Sequence, residues 1–294
     1  MEYAKQSEIL FLWDGENWNP NGDMLNSNAP RYDEISRKAL VSDVRIKRTI
    51  RDFLESEGEE IFVKETYTDK GLADGKARVK SIAGENKDVE EAILQKCIDV
   101  RAFGGVFPVE GQTHNLTGPM QFKMSKSLNE TEIVFIKGTG AFASKEGQQN
   151  KTFREEYILP YAIFATYGVI NALNSQKTKL TEEDVQKILH ALWSGTKNLI
   201  SRSKFGQLPR FLMRILYKEP GVYIGGLDNL IRLSTPKASQ LEIRSIEDFA
   251  LDIEKIVQEI EKYNDKIEKI EYQCDDSLNI APIPKSWERV EFGV

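Results

Sequence analysis

The segment YILPYAIFATYGVI, residues 157–170, is the longest apolar stretch of the chain. It is either a membrane-crossing helix or a buried element of a globular fold. Pro160 interrupts it, and its length falls short of the roughly 20 apolar residues that a helix needs to cross a bilayer. We therefore predict a buried strand over residues 157–171. Pro160 is expected at an edge or a bulge, because proline cannot donate to a sheet.

The composition around this segment is that of a folded, soluble protein. Of the 294 residues, 40% are hydrophobic and 29% are charged, and no internal repeat or low-complexity linker marks a boundary. We treat residues 1–294 as one elaborated domain, although this length also allows two ordinary domains. The amino terminus has an acid at position 2 and neither the basic n-region nor the small-residue cleavage site of a signal peptide, which predicts a cytoplasmic protein.

Cysteine and histidine are too few for the common metal and redox sites. Cys97 and Cys274 stand alone without a CxxC motif, and His114 and His190 are the only imidazoles. Any metal would have to be held by carboxylates. We expect neither a metal nor a cofactor.

The net charge of −6 conceals an uneven distribution of charge along the chain. Residues 31–51 hold seven basic and three acidic side chains, and residues 118–218 hold 15 and eight. Residues 52–100 hold 13 acidic against seven basic side chains, and residues 242–294 hold 14 against seven. This pattern favours a positive face suited to a polyanion and a separate negative face. Random unevenness of a solvated surface is the alternative.

The periodicity of the rest of the chain predicts an α+β protein. A strand at 9–13 precedes a turn-rich loop at 14–31, and a helix follows Ser42. Thr181 with Asp184 is a capping signal for a helix at 180–200. The other predicted elements are a strand at 61–67, a flexible basic insertion at 70–84, a helix at 87–98, strands at 116–124 and 131–137, a loop at 201–210 and a strand at 211–217.

Two segments carry clustered cations and polar donors. The helix after Ser42 presents four cations that the helix macrodipole does not explain, since its amino end favours acids. These cations are Arg45, Lys47, Arg48 and Arg51. The loop at 201–210, SRSKFGQLPR, offers donors for phosphate or ribose. Solvated decoration of the helix and a plain helix-to-strand connection are the competing interpretations.

The segment GTGAFASKEGQQNKT, residues 138–152, has two interpretations. Gly138, Gly140 and Ala143 match a GxGxxA dinucleotide fingerprint, but no helical periodicity follows. The other interpretation is a flexible hairpin that contacts a nucleic-acid backbone and inserts an aromatic ring between bases. The cations and rings available for this are Lys137, Lys145, Lys151, Arg154, Phe142 and Phe153.

Apolar residues from Ile246 to Ile270 recur at alternating spacings of three and four. This spacing predicts a helical region at 242–272. One interpretation is a coiled-coil dimer, and the other is an amphipathic helix or helical pair packed on the chain's own sheet.

Several motifs resemble, in order along the chain, a known protein family: NPNGD (19–23), PRYDE (30–34), SDVRIKRTIRDFL (42–54), RAFGGVF (101–107) and LTGPMQF (116–122). They are similar to the guide-RNA-binding backbone subunit of type I CRISPR effectors, the Cas7 family of the RAMP superfamily. KGTGAF (137–142) and RSKFGQLPRFLMRILY (202–217) most resemble its type I-B branch, with type I-C as the second possibility. The resemblance covers residues 9 to about 230.

The resemblance implies a modified RRM (ferredoxin-like) palm with the order β-α-β-β-α-β. It also implies a finger-like insertion at about 55–100 and a thumb hairpin at about 125–153, with the helical C-terminal region added. The implied protein is not an enzyme. It polymerises along the guide crRNA in antiviral defence, and its thumb displaces a base at regular intervals. The implied partners are the crRNA, target DNA paired with the guide, other copies of the chain, and the large, small and crRNA-end-binding subunits of Cascade.

The resemblance also implies which residues contact RNA, because the protein would hold the backbone while base pairing supplies specificity. These residues are Asn19, Asn21, Arg31, Arg45, Lys47, Arg48, Arg51, Gln121, Lys123, Lys137, Phe142, Lys145, Lys151, Arg154, Ser203, Lys204, Gln207 and Arg210.

The competing function is that of a ribonuclease. Related type III backbone subunits cleave target RNA with an aspartate in or near the loop after the first strand. Asp14, Asp23 and Asp33 lie in this region, although an Asx turn also explains Asp23.

Overall fold

The computed structural model describes residues 2–69, 71–109, 112–143 and 151–292, with the backbone alone at 109, 112, 139–143 and 151–154. Its helices are α1 (Asp43–Ser56), α2 (Gly75–Ala83), α3 (Val89–Lys96), α4 (Ile98–Phe103), α5 (Ala172–Thr178), α6 (Glu182–Asn198) and α7 (Glu254–Lys262). Its strands are β1 (Ser7–Trp18), β2 (Gly22–Asp23), β3 (Ala29–Pro30), β4 (Tyr32–Asp33), β5 (Lys38–Val41), β6 (Tyr67–Thr68), β7 (Gly71–Leu72), β8 (Gly104–Val109), β9 (Gln112–Thr117), β10 (Met120–Phe122), β11 (Ser125–Ser127), β12 (Val134–Ala143), β13 (Lys151–Ile170), β14 (Leu208–Tyr217), β15 (Arg232–Ser234), β16 (Ala250–Asp252), β17 (Ile267–Cys274), β18 (Ile280–Ala281) and β19 (Glu288–Arg289). Within the described part of the chain, no helix is long and apolar enough to cross a membrane.

The large sheet is built around β1 and β13, which run antiparallel from Ser7 opposite Ile170 to Trp18 opposite Leu159. β14 pairs with the other edge of β1. The strand order is β19-β17-β14-β1-β13-β11-β5-β4, and β10 and β12 also pair with β13. The predicted strands at 9–13, 157–171 and 211–217 therefore form the middle of one sheet.

Pro160 lies where the ladder between β1 and β13 is interrupted, although the register is the same on both sides of it. Glu16 pairs with Tyr161 and Trp18 with Leu159, but Asn17, the residue between them on β1, is outside the ladder. Asn17 has a positive φ of 49°. The missing proline N–H therefore falls where the pairing is already interrupted.

Both faces of the central sheet are covered. Ile9, Phe11 and Trp13 of β1 pack in the layer that contains α1 and α6. Leu10 and Leu12 point the other way, into a layer that residues 222–287 complete. None of these five side chains is exposed, and each contributes on the order of 1.5–3 kcal/mol by burial. The face that an open sheet would offer to a ligand is thus occupied by the chain's own C-terminal part.

The C-terminal layer differs from the predicted helical region at 242–272. Residues 246–248 form a 3₁₀ turn and β16 follows; only α7 is a regular helix, and β17 begins at Ile267. Ile267 and Ile270 belong to β17, which pairs with β14 from Tyr217 to Phe211. The predicted helical region is therefore helical only in α7, because strand pairing at the edge of the sheet overrides the three-four spacing beyond it.

Residues between α1 and β10 form a separate small core, in which Phe62, Val79, Ile93 and Phe107 pack together. The segment 70–84 contains α2, and Asp74 caps this helix by accepting the Ala77 N–H at 2.8 Å. The predicted strand at 61–67 is wrong, since the chain there pairs only in the short β6–β7 hairpin. The small core also includes Phe107 of β8, which lies beyond the predicted insertion at 55–100. The limits of the insertion stay a prediction.

The amino-terminal part of β13 belongs to a hairpin with β12, in which Val134 lies opposite Ile158 and Lys137 opposite Glu155. The carboxyl-terminal part of the same strand pairs with β1 and β11. The hairpin is therefore a direct extension of the central sheet.

Gly104 and Gly105 of the RAFGGVF motif differ in whether the structure has room for a side chain at their position. Gly104 ends α4 with a φ of 74°, and an added Cβ would lie 2.0 Å from the Leu116 carbonyl oxygen. At Gly105 the nearest atom to an added Cβ is Phe107 Cε1, at 3.5 Å. Only the first glycine is required by the backbone conformation and by the close approach of β9.

We expect Gly104→Ala to lower the free energy of unfolding by roughly 1–3 kcal/mol from the positive φ alone, with the steric clash adding to this. Gly105→Ala is the matched control and is expected to stay within about 1 kcal/mol of the wild type, in either direction. Urea denaturation followed by circular dichroism measures both. Equal effects of the two substitutions would contradict this account of the turn.

Candidate nucleic-acid interface

A groove of about 490 Å³ lies where three predicted segments meet: the Asn-rich loop, the base of the β12–β13 hairpin and the loop after α6. The residues that line it have polar or charged side chains. The lining residues are Asn19, Ser27, Asn28, Glu155, Glu156, Tyr157, Ser201, Arg202 and Ser203. The groove is therefore at one end of the central strands, beside the hairpin, and not on a face of the sheet.

Asn19 and Asn21 hold the Asn-rich loop in place. The Asn19 backbone N–H donates to the Ser203 carbonyl at 2.9 Å, and its Nδ2 donates to the Asn28 carbonyl at 2.7 Å. Asn21 Oδ1 accepts both the backbone N–H and the hydroxyl of Ser42, each at 2.9 Å. Ser42 precedes α1 as predicted, but its hydroxyl bonds to this loop and does not cap the helix. These contacts fix one wall of the groove.

Arg45 is buried beneath this loop, with 9% of its surface exposed. Its Nε donates to the Pro20 carbonyl at 3.1 Å, and its two terminal nitrogens donate to Thr49 Oγ1 at 2.8 Å and Gln207 Oε1 at 2.6 Å. Gln207, also buried, donates to the Thr196 carbonyl at 2.7 Å. Arg45 thus joins the Asn-rich loop, α1 and the loop after α6.

Lys204 adds a second cation beside Arg45. Its Nζ donates to Ser203 Oγ at 3.3 Å. Within the described part of the chain, neither Arg45 nor Lys204 forms an ion pair with a carboxylate. Burial lowers the pKa of Arg45 to about 10. Burial, and then the charge of Arg45, lowers the pKa of Lys204. Arg45 and Lys204 thus place two cations without a paired carboxylate beside the groove, whose own lining contains Arg202, Glu155 and Glu156.

Lys47 and Gln121 form a link between α1 and β10. Lys47 Nζ donates to Gln121 Oε1 at 2.7 Å and to Asp43 Oδ2 at 3.1 Å. Gln121 in turn donates to the Gly118 carbonyl at 3.1 Å. Only 10% of the Lys47 side chain is exposed.

Arg48 and Arg51 contact the insertion between α1 and β10. Arg51 Nε donates to the fully buried Asp99 at 2.8 Å. Arg48 pairs with Asp52 at 2.6 Å and donates to the Val63 carbonyl at 2.8 Å. In this structure both side chains therefore attach the insertion to α1.

Lys123 and Arg210 also have carboxylate partners. Lys123 pairs with Asp228 at 2.8 Å and stays half exposed. Arg210 Nε donates to the buried Asp14 at 2.8 Å, and its Nη1 pairs with Asp275 at 3.1 Å. Arg210 thus connects β14 to β1 and to the end of β17.

The hairpin residues are described in part. Lys137 is exposed and lies 3.6 Å from Glu155. Lys145 lies outside the described residues, as do the side chains of Phe142, Lys151 and Arg154. Their predicted RNA contacts stay predictions.

Several residues that line the groove are not among the predicted RNA contacts. Arg202 lies one position before Ser203, is 59% exposed and pairs with Glu156 at 2.7 Å. Tyr157 belongs to the segment predicted to be a buried strand, but it lines the groove. Its position next to the predicted hairpin was the signal available in the sequence.

The residues named above for a dinucleotide-binding site and for a ribonuclease have other places in the structure. Gly138 and Ala143 lie within β12, so the GxGxxA pattern does not form a turn between a strand and a helix. Asp23 lies 3.6 Å from Arg31, and Asp33 accepts the Ser36 hydroxyl at 2.5 Å. Among the described residues there is no cluster of three or more His, Cys, Asp or Glu that could hold a metal ion.

Comparisons with known proteins agree with one another. The family model for the CRISPR-associated protein Cas7 matches residues 5–254. A CRISPR-associated protein Cas7 of Haloferax volcanii is 31% identical over 310 aligned residues, which cover 95% of this chain and 90% of that protein.

Two solved structures have a similar fold. A chain of a CRISPR RNA-guided surveillance complex in a pre-nicking state matches with a TM-score of 0.57 and 12% identity, covering 97% of this chain and 96% of the other. A chain of another CRISPR RNA-guided surveillance complex matches with a TM-score of 0.55 and 12% identity, covering 97% and 94%. At this identity the likeness concerns the fold.

We expect Asn21→Ala to lower the free energy of unfolding by about 1–2 kcal/mol, because it leaves the Ser42 N–H and hydroxyl without their acceptor. Asn26→Ala, on the exposed part of the same loop, is the matched control and should change stability by less than about 0.5 kcal/mol. Thermal and urea denaturation measure both. A loss in Asn26→Ala as large as in Asn21→Ala would show that the Asn21–Ser42 contact does not hold the loop.

Proposed function

Because the chain belongs to the Cas7 family of CRISPR-associated proteins, we propose that it is the crRNA-binding backbone subunit of a type I effector, of the type I-B branch. Copies of the chain polymerise along the guide, hold the spacer through its sugar-phosphate backbone and leave the bases to pair with target DNA. Its partners are the crRNA, target DNA, further copies of itself and the large, small and crRNA-end-binding subunits of Cascade.

The main support for this proposal is that, among the described residues, neither Arg45 nor Lys204 beside the groove forms an ion pair with a carboxylate. Arg45 is buried and Lys204 is partly buried, so both residues gain from a partner that brings negative charge. A phosphate supplies it, and Arg45 is held in position by hydrogen bonds that leave its charge unneutralised. Asn19, Ser201 and Ser203 line the adjacent groove and offer polar contacts to ribose and phosphate.

The other predicted cations have a different part in the proposal. Lys47, Arg48, Arg51 and Arg210 are paired within the chain. We propose that they shape the channel and contribute to its positive potential, with direct phosphate contact strongest at Lys204.

The strand order supports a ferredoxin-type palm. β14, β1, β13 and β10 with β11 stand in the order fourth, first, third and second, and α1 and α6 pack on the same face of the sheet. The face on which RRM proteins stack bases is covered by residues 222–287. This arrangement favours RNA binding in the groove at the end of the strands. We propose that the β12–β13 hairpin, whose base lines that groove, is the thumb.

We propose that the protein is a scaffold and that Asp14, Asp23 and Asp33 are not catalytic. Asp14 is paired with Arg210, and Asp23 and Asp33 have the contacts described above. A type III-like ribonuclease is the alternative. We expect no turnover of a labelled target RNA with magnesium, by the wild type or by Asp23→Asn, in a denaturing gel assay. Cleavage by the wild type that Asp23→Asn abolishes would establish the alternative.

Binding of labelled single-stranded RNA tests the proposed function most simply. We expect the wild type to bind several unrelated sequences with similar affinity, and we expect affinity to fall as salt rises, because phosphate contacts release counterions. Lys204→Ala should weaken binding to all sequences alike and reduce the slope of log affinity against log salt by about 1. Fluorescence anisotropy at several salt concentrations measures this.

Lys187→Ala is the control for this measurement. Lys187 lies on α6, is 42% exposed and pairs with Glu59 and Glu183, so its removal changes the net charge equally without altering the groove. A wild type that fails to bind at low salt would reject the proposed function. Equal losses in the two lysine variants would reject the assignment of the phosphate site.

A further inference from the structure

We propose that Phe205 is a stacking platform for an RNA base at the edge of the groove. This inference rests on the proposed function and adds a contact to a nucleobase, where the cations described above contact only the RNA backbone. Phe205 follows Lys204 in the loop after α6, and 68% of its surface is exposed. Among the described residues no other aromatic ring packs on it.

The loop holds Phe205 in this exposed position. The backbone N–H groups of Lys204 and Phe205 both donate to the Ser201 carbonyl, at 3.1 and 2.8 Å, and close a single tight turn. The Ser203 carbonyl accepts the Asn19 N–H at one side of this turn, and the buried Gln207 anchors the other. Because the backbone at Phe205 is already held, a ligand that stacks on the ring has to order only the side chain.

The neighbours of Phe205 favour a nucleic acid over a protein partner. Arg202 and Lys204 precede Phe205 in the same turn, and Ser203, between them, lines the groove. A protein pocket that covered Phe205 would also have to desolvate these cations, which is unfavourable unless it supplied acids in the right places. An RNA strand brings a flat base for the ring and phosphates for the two cations in every nucleotide.

Stacking on Phe205 is compatible with a guide of any sequence. Every base has a π-face, so a single ring adds affinity without selecting among bases. In RRM proteins the stacking rings stand on the sheet; here the sheet is covered, and the exposed ring nearest to Lys204 in sequence stands on a loop. The base would be held by its face, which leaves its pairing edge open.

The test compares four variants with the wild type: Phe205→Ala, Phe205→Tyr, Phe205→Leu and Ile200→Ala. Ile200 is the matched control, because it is an exposed apolar residue of the same connection, with 72% of its surface accessible, and has no ring. The probe is single-stranded RNA with 2-aminopurine at one position, read by anisotropy of an end label and by 2-aminopurine fluorescence. Self-association is measured by sedimentation.

We expect Phe205→Ala to weaken RNA binding by about 5- to 150-fold, the range that removal of a stacking aromatic produces. The salt slope should stay unchanged, because no phosphate contact is lost. Phe205→Tyr should bind like the wild type, Phe205→Leu should resemble Phe205→Ala, and Ile200→Ala should have no effect. Quenching of 2-aminopurine on binding should decrease in Phe205→Ala.

Two results would overturn the stacking inference while leaving the proposed function intact. One is RNA binding by Phe205→Ala that equals the wild type. The other is unchanged RNA affinity with a loss of self-association in both Phe205→Ala and Ile200→Ala, which would make this loop a contact between protein copies. A wild type that does not bind RNA at low salt would instead reject the proposed function, and the stacking inference with it.

Discussion

The pairing of β1 with β13 and β14 is the interaction on which the rest of the structure depends. β1 places Phe11 and Trp13 on one face of the sheet and Leu10 and Leu12 on the other, and both faces are buried. A sheet covered on both sides cannot bind a ligand on either face, so only its edges and the ends of its strands remain. The end at Trp18 and Asn19 is where the Asn-rich loop, the hairpin base and the loop after α6 meet.

Arg45 connects this framework to the groove. Its guanidinium lies 5.2 Å from the Trp13 ring and donates to Pro20, Thr49 and Gln207. The same contacts that hold the loops together keep an unpaired charge beneath the groove, next to Lys204. Binding of a phosphate would offset the desolvation of these two cations, so the affinity for RNA would come partly from an unfavourable feature of the free protein.

The elements that local chemistry determines could be predicted from the sequence, and those that tertiary packing determines could not. Thr181 and Asp184 form the predicted capping box at the start of α6. In contrast, the spacing of Ile267 and Ile270 suits a helix, but they pair with β14. The cations of α1 share one helix, but their sequence spacing cannot show that Arg45 is buried or that Asp99 meets Arg51. Arg202 was missed because its role depends on the position of the hairpin.

The most direct test of the account is the location of bound RNA. Single-stranded RNA that carries photoreactive 4-thiouridine would be crosslinked to the protein, and the attached peptides would be identified by mass spectrometry. If RNA binds in the groove, crosslinks are expected in residues 17–31, at 155–157 and at 201–206, the three segments that border it. Crosslinks concentrated in the C-terminal layer, residues 222–287, would contradict it, because RNA would then bind on the side of the sheet that this layer covers.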